Sequence, residues 1–299
     1  MAVDGGGELA PRANRRVRLA RRREQPQVAA AAQLASALSH LCLADSELDA
    51  AAGHVLTQAL QGPTALASLD LSLNALGTEG GWALATALEQ NCRVHTLDLT
   101  GNRLGPEAGV AMAKALRGNA SLTTLRLRDN ALDGESGKAL GEALEVNRAL
   151  VKLDLNGNHL GQAGATAILR ALERNDALTE LNLASNDLHG DEIAQQAAKA
   201  LVANSTLATL HLGTNGLDGV AASAVARALK ANSALTVLDL SHNFVGAPGA
   251  NAFADALQSD GTTIAHLMLD GLLREVASGI RKVATAEDIE QVRAALAGQ

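Results

Sequence analysis

The 299-residue chain has almost no aromatic side chains: aromatics make up 1% of it, with one Trp, two Phe and no Tyr. Hydrophobic residues nevertheless make up 47% of the chain. Large aromatic rings usually fill much of the core of a compact globular domain, so their scarcity argues against one deep core. A core of leucine, alanine, valine and glycine instead indicates thin layers that repeat along the chain.

Cysteines and long apolar runs are also scarce. The two cysteines, Cys42 and Cys92, are too few for a dense disulfide framework, so we expect a reducing, cytoplasmic environment. No apolar run reaches the roughly 18 residues that a membrane-spanning helix requires. The sequence therefore predicts no membrane span.

Charge is distributed unevenly along the chain. Residues 1–30 contain seven Arg and three acidic residues, a net charge of +4; because the whole chain carries −7, residues 31–299 carry −11. The composition of residues 1–30 predicts a disordered basic arm. Its arginines between positions 12 and 23 could bind nucleic acid, an anionic surface or an import receptor, which would allow a nuclear location. An unstructured tail without a binding role is the alternative.

The strongest signal is an internal repeat with a period of 28 or 29 residues. Residues 66–77 read LASLDLSLNALG, and the pattern LxxLxLxxNxLG recurs in about nine copies, of which the first and last are weakened. In the seven regular copies, the Asn of this pattern falls at Asn74, Asn102, Asn130, Asn158, Asn186, Asn215 and Asn243. So regular a period predicts a solenoid of stacked units.

Each copy predicts one strand and one helix. The alternating leucines of LxL indicate a short strand, whereas the second half, as in residues 79–90, has apolar residues at helical spacing. Neither element can bury its leucines alone, but stacked copies can. The expected fold is α/β: a horseshoe-shaped solenoid with a parallel sheet on the concave face and helices on the convex face.

Two columns of asparagine are expected to have structural roles. The Asn after each strand can satisfy backbone groups in its own turn and in the neighbouring repeat, which predicts an asparagine ladder. A second column follows the helices: Asn91, Asn119, Asn147, Asn175, Asn204 and Asn232. Because Asn tolerates the left-handed conformation that ends many helices, we predict that conformation there. The one longer interval, from Asn186 to Asn204, predicts a bulge or longer turn before that helix, with the sheet unbroken.

Residues 69–91, LDLSLNALGTEGGWALATALEQN, resemble the ribonuclease-inhibitor-like class of leucine-rich repeats. That class includes ribonuclease inhibitor, the sensor regions of NOD-like receptors and the Ran GTPase-activating protein. The resemblance covers about residues 34–272 and implies a horseshoe that grips protein partners on its concave face. We therefore expect a leucine-rich-repeat domain over 31–272. A capping segment is expected over 273–299, with a helix starting at Thr285.

The candidate binding residues are those that the leucine scaffold does not use. They lie between and beside the strand leucines and should line the concave face as an acidic, hydrogen-bonding groove for a basic protein segment. They are Asp70, Asp98, Arg126, Arg128, Lys152, Asp154, Glu180, Asn182, His211 and Asp239. A solvated charge ladder without a binding role is the alternative. Asp70 and Asp98 are expected to lie close enough to repel each other, and Arg126, which is expected between Asp98 and Asp154, can relieve that repulsion.

Catalytic and ligand-binding motifs are missing from the sequence. It has no GxxxxGKS phosphate-binding loop, and neither cysteine is predicted to be a nucleophile. His211, Asp239 and His242 could approach one another, but no local metal-ligand spacing such as HxxxH occurs. We therefore predict no catalytic residue, no metal, no cofactor and no small-molecule substrate.

The predicted function is a non-enzymatic scaffold that binds a protein. A GTPase-activating protein of the Ran type is the alternative that the resemblance leaves open. A microbial effector that acts on a protein of a host cell is a further alternative. Trp82 on the outer face is expected either to pack over the neighbouring helix near His54 or to be an exposed contact.

Overall fold

The computed structural model describes residues 17–18, 38–62, 64–259 and 262–269. Its strands are β1 Val17–Arg18, β2 His40–Cys42, β3 Ser68–Asp70, β4 Thr96–Asp98, β5 Thr124–Arg126, β6 Lys152–Asp154, β7 Glu180–Asn182, β8 Thr209–His211, β9 Val237–Asp239 and β10 His266–Met268. The helices of the described residues are α1 Ala50–Gln61, α2 Gly77–Gln90, α3 Gly105–Gly118, α4 Gly134–Val146, α5 Gly161–Leu172, α6 Asp191–Ala203, α7 Gly219–Leu229 and α8 Gly246–Leu257.

The strands form one parallel sheet in which their order along the sheet is their order along the chain. From β3 onward the helices alternate with the strands, which confirms the predicted α/β solenoid. Equivalent leucines lie opposite one another: Leu69 pairs with Leu97, and Leu97 pairs with Leu125. This exact repetition of register puts one row of leucines on the buried face and leaves the residues between them on the other face.

The single longer repeat does not interrupt the sheet. Glu180 pairs with Thr209 in the same register as the strands before them, and the N–H of Asn186 still donates to Oδ1 of Asn215 at 2.8 Å. The extra residue is accommodated before α6, where Gly190 has φ of 103°, a conformation that glycine adopts without steric cost. The predicted longer turn with an unbroken sheet is confirmed.

The core is a continuous aliphatic layer between the sheet and the helices. Strand and helix leucines fill it, and Phe253 is the one aromatic side chain buried in the described part of the chain. Small residues let neighbouring helices approach closely. A Cβ atom on Gly137 would lie 2.5 Å from Cα of Gly164, so only glycine fits where α4 crosses α5. These thin layers agree with the scarcity of aromatic residues.

The asparagine that follows each strand is buried and links two repeats. Asn130 donates from Nδ2 to the carbonyl oxygens of Leu99 and Arg128, at 2.8 and 3.0 Å. Its Oδ1 accepts the backbone N–H of Asn102 at 3.0 Å. All seven asparagines of this column donate to a strand carbonyl of the preceding repeat and accept an N–H from its turn. We call this column the strand ladder.

The asparagine that follows each helix forms a second ladder, and the conformation predicted for it is wrong. None of the six has a positive φ; Asn147, for example, has φ of −70° and ψ of 131°. Its Nδ2 donates to the carbonyls of Leu116 and Asn119 at 2.7 and 2.9 Å, and its Oδ1 accepts the N–H of Leu150 at 2.8 Å. The side-chain amide of asparagine caps the helix of the preceding repeat at this position. We call this column the helix ladder.

The ends of the solenoid are described only in part. Within the predicted basic arm, Val17 and Arg18 pair in parallel with Leu41 and Cys42. The other residues of the arm, and the capping segment 273–299 with its helix at Thr285, lie outside the described residues. Among the helices that the structure describes, none is long and apolar enough to cross a membrane.

Candidate partner-binding surface on the concave face

The candidate residues lie side by side on the face of the sheet that is turned away from the helices. The strand register puts seven of them in one row, here called the central row: Asp70, Asp98, Arg126, Asp154, Asn182, His211 and Asp239. Lys152 and Glu180 are partners in the adjacent row. Neighbouring positions in a row are separated by about 4.8 Å, the strand spacing. The face is therefore a continuous polar surface.

All five acidic and amide residues of the central row also have a structural role, which the sequence analysis missed. Asp98 Oδ1 accepts the N–H of Thr100 at 3.0 Å, and Asn182 Oδ1 accepts the N–H of Ala184 at 3.0 Å. Asp70, Asp154 and Asp239 make the same bond two residues ahead. The preference of Asx side chains for such local turns could have indicated it. The bonds fix one oxygen of each side chain and leave the other directed at solvent or a neighbour.

Most of the remaining oxygens are occupied by neighbours one strand away. Arg126 Nη1 lies 3.6 Å from Asp98 Oδ2, and Lys152 Nζ lies 2.6 Å from Glu180 Oε2. Cys42 Sγ donates to Asp70 Oδ2 at 3.3 Å. Arg128 turns to Asp129 in the adjacent turn, at 3.0 Å. Two ion pairs and one thiol hydrogen bond thus link adjacent strands of the concave face.

His211 and Asp239 form a partly buried pair on adjacent strands of this surface, with Nδ1 and Oδ2 separated by 3.3 Å. The hydrogen bond to Asp239 raises the pKa of His211 above its ordinary value of 6.5, burial opposes this, and the charges of Asp239, Glu180 and Asp154 add to the rise. Burial alone would raise the pKa of Asp239. The hydrogen bonds from His211 and Ser241 outweigh burial and leave that pKa below 3.8.

Asp154 differs from the other carboxylates of the face. Its Oδ1 accepts the N–H of Asn156 at 3.0 Å, but its Oδ2 has no hydrogen bond or ion pair within the described residues. Arg126 lies between Asp98 and Asp154 in the register, as the sequence predicts. Its guanidinium forms an ion pair with Asp98 and none with Asp154. Burial raises the pKa of Asp154 above 3.8, and the positive charges of Arg128 and Arg126 only partly offset this.

The structure bears on two other candidates. Trp82 is 56% exposed on the convex side of α2, so the outer face presents its indole to solvent. Within the described part of the chain, no three His, Cys, Asp or Glu residues lie together in a way that could hold a metal ion. His242 belongs to a turn, where its φ is 56°.

The repeats match a known protein family. A family model described as "Leucine Rich repeat" matches residues 64–85, 90–113, 118–141, 146–169 and 231–254. These segments fall on the strand-and-helix units whose leucines and asparagines are described above. The chain is a leucine-rich-repeat protein. The ribonuclease-inhibitor-like subclass of this leucine-rich-repeat protein stays a prediction from its sequence.

The leucine-rich-repeat protein is similar in structure to several solved proteins, two of which are named below. The crystal structure of internalin C2 from Listeria monocytogenes has 17% sequence identity and a TM-score of 0.54, and the match covers 82% of this chain and 92% of that one. This likeness supports the solenoid fold alone. The tropomodulin C-terminal domain from Caenorhabditis elegans has 13% identity and a TM-score of 0.34, over 64% of this chain and 82% of that one, and carries no argument. A comparison with the sequences of curated proteins gives no match.

Proposed function

We propose that this leucine-rich-repeat protein is a non-enzymatic scaffold that binds a protein partner on the centre of its concave face. The observation that carries the proposal is the set of turn bonds in the central row, such as Asp98 to Thr100 and Asn182 to Ala184. These bonds fix polar side chains on a sheet that is already rigid. A surface whose side chains are ordered before binding loses less conformational entropy when a partner docks.

The charges of the face support a partner with charged groups of its own. Arg126, Asp98, Lys152 and Glu180 give both signs within a few strands. Such charges set the orientation of a partner and its encounter rate more than its affinity. The described rows of the concave face contain no Trp or Tyr, the residues that most often dominate tight interfaces. We therefore expect modest, salt-sensitive affinity.

Charge reversal on the two faces tests this function. A partner captured with the full chain is titrated against Glu180→Lys and against Glu142→Lys, the same reversal at an exposed position of the convex helix α4. The concave variant should bind a basic partner segment about fivefold more weakly, since one partly exposed acidic charge is reversed, while the convex variant should bind as the wild type does. Thermal unfolding should change little in both, because the Lys152–Glu180 pair that the concave variant loses is partly exposed.

The opposite pattern would place the interface elsewhere. If Glu180→Lys leaves binding unchanged while Trp82→Ala abolishes it, the partner uses the convex face and the proposal fails. A turnover assay with small GTPases tests the Ran-type alternative in the same preparation. Stimulated GTP hydrolysis by the wild-type protein would contradict a purely scaffolding role.

A further inference from the structure

The carboxylates of the concave face differ in how completely they are bonded. In Asp98, one oxygen accepts the turn N–H and the other faces Arg126. In Asp239, one accepts the N–H of Ser241 and the other faces His211. In Asp70, the two oxygens accept from Ser72 and Cys42. Asp154 is the exception in this row, because its Oδ2 has no partner within the described residues.

The surroundings of Asp154 leave its negative charge under-compensated. Burial dominates the environment of this carboxylate and opposes its ionisation, which raises its pKa. A hydrogen-bonded cation would restore solvation that a half-buried carboxylate has lost. Arg126 lies next to Asp154 in the register but forms its ion pair with Asp98. Oδ2 of Asp154 is therefore open to a cation that a partner supplies.

The next residue in the row adds a second binding group. Asn182 pairs with Asp154 in the register, about 4.8 Å away. Its Oδ1 accepts the N–H of Ala184 at 3.0 Å, and its amide N–H groups have no acceptor within the described residues. Together the two side chains offer one charged acceptor and one neutral donor. A single residue of an extended peptide can match both, with a cationic side chain and a backbone carbonyl.

We propose that Asp154 and Asn182 form a subsite that receives a lysine or arginine side chain from an extended basic segment of the protein partner. This inference rests on the proposed docking of that partner on the concave face. Asp154 binds the ammonium or guanidinium group through its free Oδ2, and Asn182 donates to the carbonyl of the same segment. The partner is basic at this point, although the face as a whole carries both signs. An acidic segment would place like charges against Asp154.

The experiment uses a defined probe with a neutral counterpart. The full chain is titrated by calorimetry with a 12-residue peptide of alternating serine and arginine, and with the same peptide in which citrulline replaces arginine. Citrulline keeps the shape of arginine and removes its charge. The arginine peptide should bind, and the citrulline peptide should bind at least about tenfold more weakly, as expected when a charged hydrogen bond is lost.

Two substitutions in the central row distinguish the effect of the subsite on peptide binding from the effect of net charge. Asp154→Asn should weaken binding of the arginine peptide about fivefold, the effect of losing one partly exposed ion pair. Asp70→Asn removes the same charge from the same row, but both oxygens of Asp70 already have partners, so its loss should be clearly smaller. Both variants keep the turn bond, because Asn182 makes it in the native chain. Glu142→Gln, an exposed position on the convex helix α4, is the control without effect.

NMR chemical-shift changes of the backbone amides, measured in a second titration with the same peptides, distinguish the inference from the proposed function. Equal losses at Asp154 and Asp70, or equal binding of the citrulline peptide, would overturn the subsite even if the shifts lie on the concave strands. Shifts on the convex helices, or no binding of the arginine peptide at all, would overturn the subsite as well. Of these four outcomes, only chemical-shift changes on the convex helices would also contradict docking on the concave face.

Discussion

The backbone N–H of Asn102 is held by the side chain of Asn130, one repeat further along, at 3.0 Å. Asn130 is fully buried, so water cannot replace this bond when it is lost. Its Nδ2 holds two further carbonyl oxygens, those of Leu99 and Arg128. Each strand-ladder asparagine therefore acts on two repeats at once, and its removal should affect both.

Asn130→Ala should lower the free energy of unfolding by about 1–3 kcal/mol, the range for buried polar groups that are left without a partner. Urea unfolding followed by circular dichroism measures it. Asn251→Ala, at an exposed position on α8, is the control and should change stability by less than about 0.5 kcal/mol. An unchanged midpoint for Asn130→Ala would contradict the ladder.

Asn147→Gly distinguishes the two explanations of the helix ladder. If asparagine were there for a left-handed backbone, glycine would serve equally well or better. Because φ is −70° and the amide makes the bonds, glycine should instead destabilise the protein by about 1–3 kcal/mol. The same urea measurement decides between them, and a stability equal to that of the wild type would restore the left-handed explanation.

Asp154→Asn should stabilise the fold at neutral pH, although it weakens the proposed subsite. Burial raises the pKa of Asp154 in the folded state, so ionisation costs stability above that pKa, and the cost disappears as the pH falls through it towards 3.8. Thermal melts at about pH 7 and pH 4 should show a gain at the higher pH that shrinks at the lower one. Asp239→Asn is the matched contrast: its pKa is lowered, so the same substitution should destabilise the protein at neutral pH.

His211 should make stability depend on pH near neutrality. Its pKa is raised above 6.5 in the folded state, chiefly by the hydrogen bond to Asp239. The stabilisation that protonated His211 adds to the free energy of unfolding is thus fully present below pH 6.5. It is lost as the pH rises through the pKa of His211 in the folded state. The difference in unfolding free energy between the wild type and His211→Gln, measured from about pH 5 to pH 9, should fall across that window. In an Asp239→Asn background most of this pH dependence should vanish; if it persists, another group is responsible.

The sequence predicts the fold well because a stacked repeat must present the same buried positions every 28 or 29 residues. Leu69 and Leu97 are paired in register as expected, and the extra residue near Gly190 is accommodated outside the sheet. The conformation at Asn147 could not be predicted in the same way. A left-handed cap and a side-chain amide cap select the same residue type, so composition alone cannot separate them.

The candidate surface is predictable in position but not in its pairing. Register places Asp98, Arg126 and Asp154 in one row. Which neighbour Arg126 contacts depends on the rotamer of a long, flexible side chain, and no periodicity in the sequence determines it. The turn bonds of the acidic residues do not follow from the repeat pattern either, because the leucine scaffold leaves the residue type at these positions open. Five of the seven residues in the row in fact hold a backbone N–H.

The strand ladder also has consequences for synthesis of the chain. The turn at Asn102 is completed by Oδ1 of Asn130, 28 residues later. At about 5–20 residues per second, a ribosome takes roughly 1–6 s to add that distance. Until the next repeat has emerged, each new repeat therefore exposes to water a backbone N–H that is buried in the complete solenoid. The nascent solenoid should become protected from proteases stepwise, one repeat behind the growing end.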